Sequence, residues 1–546
     1  MLPFAVAEME TPTTMRTSGI ILWLILGCLA LGGLAAQWLS TASGIGVSPD
    51  SLGYMGTACS LREGQGFAIP WGGGQPMTHW PPLFPAVLAG VGCTSFQSLD
   101  AGAWLNGALL AANIFLLGMI MYSATRKRWC AILAAFLMVA SADLLSVHAW
   151  IWSEPAFIFF CLLFLYLIHQ YLERGTMPML LAAAAAAGLA MLTRYAGAAL
   201  LGTGVLAICL LGTKPLPRKL RDCLIFAAAS GAPLAVWLIR NSLVGGTATN
   251  RALCWHPITR DQLADAFKTV SGWIVPRESP SLLTGMVAIA IIIVITLTVP
   301  MLMTKRRRAA LERLQVKWKW PCLLSIFAAS YVVFLVVSVS ILDAGMPFDA
   351  RILAPAYPAC VAFAVCLAGL LWEVKRPAGI IVLVLLAAVA VRSSVTACRW
   401  TNERSGDGCG YTAAAWQNSP LTEYLRGLKP GSPVYTNVPG FVFFSLGNRN
   451  CHKLPFAIEL TEARRNADFG SELKAMWQDL RRRDGVIAYY YIGEMQGLPP
   501  GRELRQMLRL RSWPSILGRR FTRRTANEHS ASGQGWVVVD FSALTV

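Results

Sequence analysis

Two acidic residues and a few arginines stand out in a chain that otherwise carries little charge. Asp50 opens the stretch SPDSLGYMGTACSLREGQGF, and Glu154 sits in IWSEPAFIFF with His148 shortly before it. Arg194 lies in LTRYAG, Arg240 in IRN, and Arg351 in DAGMPFDARILAPAYP, which also holds Asp343 and Asp349. His79 and Trp80 precede the paired prolines of HWPPLFPAVLAG, and Tyr54 follows Asp50 at one helical turn. A carboxylate can take a proton from a hydroxyl, and a guanidinium fork matches the oxygens of a phosphate. Gathered on one surface, such a set would activate a hydroxyl while stabilising negative charge on a leaving phosphate. Each residue also has a plainer reading: Asp50 as the cap of a helix opening near Ser48 or Asp50, and any one arginine as an interfacial anchor. Where the chain places them decides between the two.

Of the 546 residues, 55% are hydrophobic and only 14% charged, against about 25% charged in an ordinary soluble domain. Continuous apolar runs of about 20 residues, long enough to cross roughly 30 Å of hydrocarbon, recur over the first 400 positions. Their continuity excludes a barrel, whose strands alternate. The expected fold is a polytopic α-helical membrane protein with spans at about 19–39, 101–123, 129–147, 152–172, 177–193, 196–212, 221–240, 283–303, 321–342, 353–372 and 378–397. Arg194 and Tyr195 interrupt what would otherwise read as one span over 177–212, which makes a hairpin there.

Basic clusters follow the even-numbered spans: Arg126 to Arg128, then Lys214, Arg218, Lys219 and Arg221, then Lys305 to Arg308 with Arg313, Lys317 and Lys319, then Lys375 and Arg376. With eleven spans they share one side, which the positive-inside rule makes the cytoplasm. The N-terminus is then cytoplasmic. Asp50, the loops 241–282 and 343–352, and everything past about 398 lie outside, and the acids and arginines named above converge on that outer face. The first span is preceded by Arg16 and contains ILGC at 25–28; because its apolar run continues past Cys28, a retained signal anchor is expected. The net charge of +18 belongs largely to orienting loops, so nucleic-acid binding is not indicated. Eight of fourteen cysteines fall in spans, and those outside leave room for disulfides such as Cys409 with Cys451.

The first outer loop, 40–100, is too long for a connector. Its Trp71, Trp80 and Phe84 and the run WPPLFPAVLAGVG suggest a short helix at the bilayer surface, started by Pro81 and Pro82, roofing a cavity. After Arg399 polar residues return. PLTEYLRGL and SELKAMWQDLRRR read as helices, and PVYTN, GVIAYYY and GWVVVDF as strands, so a small extracytoplasmic α/β domain over 401–546 is expected beside a membrane domain over 1–400. That domain shows no phosphate loop, His-Cys cluster or Ser-His-Asp set, and a binding or structural role suits it. RRFTRR at 519–524 reads as a solvated basic face, or as a contact for lipid headgroups or an acidic acceptor.

The ordered motifs SPDSLGYMGTACSL, HWPPLFPAVLAG, WSEPAF, LTRYAG, RN and FDARILAPAYP resemble the bacterial branch of the GT-C superfamily of integral-membrane glycosyltransferases, to which protein O-mannosyltransferases and lipid A aminoarabinose transferases belong. The resemblance covers roughly 19–400, and PVYTNVPGFVFFSLGNR at 433–449 is similar to the outer domain of many members. It implies transfer of a monosaccharide from a polyprenyl-phosphate donor to a hydroxyl of an acceptor glycan, lipid or protein outside the cytoplasmic membrane, with inversion. It also implies Asp50 as base, Glu154 orienting acceptor or base, and Arg194, Arg240 or Arg351 stabilising the phosphate. Some relatives have lysine where Trp80 stands, so either His79 could contact the phosphate, or Trp80, beside Tyr54 in the substrate lining, could stack on the sugar while an arginine elsewhere meets the phosphate. No metal site is read from spacing, although some superfamily members use a divalent cation, which Asp50, Glu154 and Asp343 could hold. The rival readings are a transporter, which would place its charges near the bilayer midplane and show internal repeats, a polymerase or ligase using lipid-diphosphate-linked sugars, and a silent binding subunit.

Overall fold

The computed structural model describes residues 12–251, 253–275, 318–343, 345–429, 431–447, 450–456, 458–459, 464–483, 485–491 and 535–540. The expected span at 283–303 and the segment RRFTRR lie outside these.

Helices α1 (Pro12–Ser40), α4 (Leu99–Thr125), α7 (Glu154–Arg174), α10 (Leu216–Gly245), α12 (Lys319–Ile341), α14 (Ala356–Val374) and α15 (Arg376–Asp407) contain the stretches long and apolar enough to cross a membrane. At about 1.5 Å per residue, the 23 residues of α12 reach roughly 35 Å. The run expected at 129–147 is two helices, α5 (Arg128–Val139) and α6 (Ala142–His148), meeting at 60°. Ser141 causes the break, because its side chain accepts the Leu144 amide and so starts a new helix. The hairpin expected around Arg194 is α8 (Met177–Thr193) followed by a short 3₁₀ turn and α9 (Ala198–Leu211), and α11 (Arg260–Gly272) follows α10 in the chain.

Ion pairs and hydrogen bonds sort the helix ends onto two faces. On one, the end of α4 meets the end of α14 through Lys127 and Glu373, Lys214 reaches back to Tyr171, and Lys319 binds Glu173 and the Leu172 carbonyl. On the other, Ser43 after α1 donates to the Ser405 carbonyl of α15, the start of α7 meets the end of α8 through Glu154 and Arg194, and Arg240 near the end of α10 binds carbonyls of the 40–100 segment. Asp50, Glu154, Arg194, Arg240 and Arg351 all belong to this second face. The packing that brings α7, α8 and α10 together rests on small residues: α8 is a run of alanines, and a Cβ at Gly188 would sit 3.2 Å from the Ser230 carbonyl oxygen.

The 40–100 segment folds into α2 (Pro49–Arg62), the hairpin β1 (Ala68–Ile69) and β2 (Gln75–Pro76), and α3 (Leu83–Val91). Beyond α15, strands β3 (Val434–Thr436), β4 (Cys451–Lys453), β7 (Val486–Tyr491) and β8 (Gly535–Asp540) form a sheet in the order β4-β3-β7-β8, parallel except for the last pair, while β5 (Ile458–Glu459) and β6 (Arg464–Arg465) pair separately. The two parts share one core: Ile45, Val47, Leu52 and Phe84 pack in the same cluster as Trp416, Phe441, Val486 and Tyr490. The 400/401 boundary expected from composition falls inside α15, which continues to Asp407. The disulfide considered between Cys409 and Cys451 is not formed; both are buried free thiols.

Candidate functional site

Asp50 is not the cap of α2. That place belongs to Ser48, whose side chain accepts the Ser51 amide while Ser51 accepts the Ser48 amide. The Ser48 hydroxyl also accepts from the Trp152 indole at 2.8 Å, which ties the start of α2 to the stretch before α7. Farther along α2, two glycines one turn apart let tryptophans approach: a Cβ on Gly53 would lie 2.3 Å from the Trp80 ring, and one on Gly56 2.6 Å from Trp71. With its start pinned and this face docked, α2 presents Asp50 in its first turn, where the helix dipole favours a negative charge.

Arg351 meets it from α13 (Ala350–Leu353), a single turn capped by Asp349, whose carboxylate accepts the Ile352 amide at 3.0 Å. The guanidinium lies 4.2 Å over the Trp152 ring. Its Nη2 is 2.7 Å from Asp50 Oδ2, and its Nε is 2.5 Å from Glu154 Oε1. Arg194, just past α8, places Nη1 2.6 Å from the same Glu154 oxygen and donates to the Ser153 hydroxyl at 3.0 Å. Asp50, Arg351, Glu154 and Arg194 therefore form one unbroken chain of alternating charge. Glu154 is 1% exposed in this chain, and its Oε2 is buried without a hydrogen-bond partner. Asp50 is 33% exposed.

Burial alone would raise the Asp50 pKa, but the charge and hydrogen bond of Arg351 outweigh it and hold the carboxyl below its ordinary value. Arg351 is pushed the opposite way by Glu154 and Asp50 and stays protonated. Tyr54 packs edge-on against Trp80 and Phe84, with its hydroxyl 3.2 Å from Ser153 Oγ; burial raises its pKa far above neutrality.

The remaining sequence candidates fall elsewhere on this face. Arg240 donates to the Met77 carbonyl at 2.7 Å and the Phe67 carbonyl at 3.1 Å, fastening α10 to the 40–100 segment. His79 stands edge-on to Trp80, and burial with the neighbouring Arg251 lowers its pKa to about 4. Arg251 was missed by sequence reading, as were Trp152 and Ser153. It follows Asn250, which takes a left-handed φ of 54°, and it stands in the outer loop 241–282; a census of arginines in outer loops would have found it. Asp343, 3.8 Å from Arg251 Nε, and the capping Asp349 both have pKa values raised by burial. Among the described residues no group of three or more His, Cys, Asp or Glu could hold a metal. Arg351 stands between Asp50 and Glu154, and Arg251 beside Asp343, so these acids do not fit a divalent cation.

No protein-family profile and no curated protein sequence matches this chain. Solved structures do. ArnT from Cupriavidus metallidurans in the apo state is 14% identical with a TM-score of 0.56, over 97% of this chain and 99% of that one. The same protein bound to undecaprenyl phosphate is 13% identical with a TM-score of 0.51, over the same shares. The archaeal oligosaccharyltransferase AglB from Archaeoglobus fulgidus, in complex with an inhibitory peptide and a dolichol-phosphate, is 11% identical with a TM-score of 0.51, over 86% of this chain and 69% of that one. The chain is thus a multi-pass helical membrane protein. Its fold is that of the GT-C membrane glycosyltransferases.

Proposed function

We propose that this protein is a glycosyltransferase that moves a monosaccharide, hexose or pentose, from a polyprenyl-phosphate donor to a hydroxyl of an acceptor glycan, lipid or protein. The observation that carries this reading is the chain Asp50–Arg351–Glu154–Arg194 at the mouth of a membrane helix bundle, where a lipid-anchored and a water-borne substrate can meet. The Asp50 carboxylate takes the proton of the acceptor hydroxyl as its oxygen attacks the anomeric carbon. The bond from that carbon to the phosphate oxygen breaks, its electron pair leaves with the lipid phosphate, and the configuration inverts. A carboxylate held ionised by Arg351 is a weak base at rest. It suffices because the hydroxyl becomes strongly acidic only as the new bond forms. Glu154, with one oxygen spent on two arginines and the other open, orients the acceptor or the base.

Arg194 and Arg351 supply positive charge near the leaving phosphate, and Tyr54 and Trp80 shape the sugar pocket. The basic face of the bundle is cytoplasmic, so the N-terminus is cytoplasmic, the site opens outside the cytoplasmic (inner) membrane, and the residues after about 400 form an extracytoplasmic domain. Sugar transfer from a panel of polyprenyl-phosphate monosaccharides, by membranes holding the wild type or Asp50→Asn, tests the reading. Transfer lost in a folded variant supports it. Transfer unchanged by the substitution removes Asp50 as base, and no transfer from any donor sinks the reading.

A further inference from the structure

The loop that joins α12 to α13 delivers Asp349 and Arg351 to the mouth of the bundle, and its backbone carbonyls need donors there. The outer segment after α10 supplies them. The His256 amide donates to the Ser340 carbonyl at 2.8 Å and the Cys254 amide to the Ile341 carbonyl at 3.0 Å. Gln262 Nε2 donates to the Met346 carbonyl at 3.0 Å, and the Thr269 hydroxyl to the Phe348 carbonyl at 3.3 Å. Phe348 immediately precedes Asp349, the cap of the turn that carries Arg351.

Gln262 and Thr269 stand two helical turns apart on one face of α11, and both are buried. Ala266, Val270 and Trp273 pack against the core of the bundle. The face that an amphipathic helix turns to a core is normally apolar. Two buried polar side chains on it, reaching carbonyls two residues apart, serve the loop beneath. The far end of α11 is fastened to α6 and α15: the Trp273 indole donates to Asp143 Oδ2 at 3.2 Å, and Arg392 Nη2 donates to the Gly272 carbonyl at 2.8 Å. The turn itself is also gripped from α12, where the Tyr331 hydroxyl donates to the Ile352 carbonyl at 2.8 Å.

We propose that Gln262 and Thr269 are positioning residues: by holding the Met346 and Phe348 carbonyls they fix the turn that carries Arg351, and so keep its guanidinium between Asp50 and Glu154. Contacts of 2.7 and 2.5 Å to the two acids leave little slack, because a shift of about 1 Å takes either past hydrogen-bond range. The catalytic consequence rests on the reading of the protein as a transferase. The geometry does not. Arg194, His79 and Asp343 also face Asp50, and Glu154, Tyr54 and Asp349 face Arg351. The charged residues of α11 itself, Arg260, Asp261, Asp265 and Lys268, are exposed. Removing the two donors without adding a charge therefore alters the ionisation of Asp50 only by letting Arg351 move.

The test compares the full-length wild type with the double variant Gln262→Met/Thr269→Val in lipid nanodiscs, by sugar transfer from polyprenyl-phosphate monosaccharides across pH and by backbone hydrogen exchange. The turnover number should fall by about tenfold to a hundredfold with KM changed by less than about twofold. The acid limb of the rate profile should move to higher pH, because burial then dominates at Asp50. Amides of residues 350–353 should exchange about tenfold faster while those of α12 and α14 keep their protection. Thr269→Ser, which retains the donor, and Lys268→Gln, on the exposed face, should both match the wild type. Wild-type turnover and exchange in the double variant overturn the assignment. So does a slower double variant whose acid limb stays put, since α11 would then only stabilise the fold. A wild type that transfers no sugar sinks the transferase reading, and exchange at 350–353 still decides whether α11 holds the turn. If the double variant does not fold, Thr269→Val alone, which removes one hydroxyl at nearly constant shape, carries the same readings.

Discussion

Two buried carboxylates sit at opposite ends of the same helix bundle and are used in opposite ways. Asp222, near the start of α10, accepts from the Tyr171 hydroxyl at 2.6 Å and Lys214 at 2.8 Å on one oxygen, and from Arg221 at 3.0 and 2.8 Å on the other. Glu154, at the start of α7, takes both of its arginines on one oxygen and leaves the second buried and empty. Both acids are fully buried. The saturated one has no capacity left for a ligand and staples three helix ends together. The unsaturated one, linked through Arg351 to the part-exposed Asp50, retains acceptor capacity that folding alone does not use. Counting buried charges would treat the two alike; counting their unused lone pairs separates a staple from a site.

Four perturbations would break or sharpen that contrast. The largest effect is expected from Asp50→Asn, which removes the proposed base and should lower transfer by about a thousandfold or more with the melting temperature nearly unchanged, as read by sugar transfer alongside thermal denaturation. Next is the paired comparison of Glu154→Gln with Asp222→Asn. Glu154→Gln should cut the turnover number by about a hundredfold. Asp222→Asn should instead destabilise the protein by about 1–2 kcal/mol, since it weakens the bonds from Tyr171, Lys214 and Arg221 but leaves both cations in reach of solvent, while turnover per folded molecule stays at the wild-type level. A catalytic defect in Asp222→Asn, or none in Glu154→Gln, would erase the distinction between staple and site.

The third concerns pH. With Arg351 present, Asp50 remains ionised below the ordinary carboxylate value, so the acid limb of the rate profile should lie below about pH 4. In Arg351→Met the opposing charge is gone and burial dominates, so the residual activity should lose its base at a higher pH. An acid limb that stays put would detach Arg351 from Asp50. The smallest effect belongs to His79. Its folded pKa of about 4 lies below the unfolded value of about 6.5, so its contribution to stability is complete above pH 6.5 and is lost as pH falls toward 4. Replacing it with glutamine should flatten that part of a melting-temperature profile, measured by differential scanning fluorimetry.

Much of this architecture is legible in the chain because it is local. Apolar run lengths place the helices, the break at Arg194 and Tyr195 is visible as two polar residues inside an apolar stretch, and PVYTN and GVIAYYY read as strands from their β-branched and aromatic content. Which end of the bundle a residue reaches is legible too, which is why Asp50, Glu154, Arg194, Arg240 and Arg351 can be gathered on one face from the amino-acid order alone. Pairing is not legible. Nothing in the spacing of Arg240 and Arg351 tells that one fastens a loop and the other bridges two acids, because that depends on where α2 and α13 dock. Arg251 escaped for the same reason: it lies in an irregular loop with no periodicity. The shared core of the 40–100 segment with the β3–β7 region escaped because its halves lie far apart in the chain and meet only through tertiary packing.

Residues 45–47 show what that meeting demands of the chain as it is made. Gly46 pairs with Trp150, the Val47 amide donates to the Cys409 carbonyl, and the Val47 carbonyl accepts the Tyr411 amide at 2.9 Å. The two residues immediately before the cap of Asp50's helix therefore take one neighbour from the first third of the chain and another from its last quarter. During synthesis, α2 leaves the ribosome long before the strand-like segment at 409–411 exists, and its mounting stays incomplete until then. A ribosome that stopped after α15 would release a bundle containing every candidate catalytic side chain, with Asp50 left unmoored.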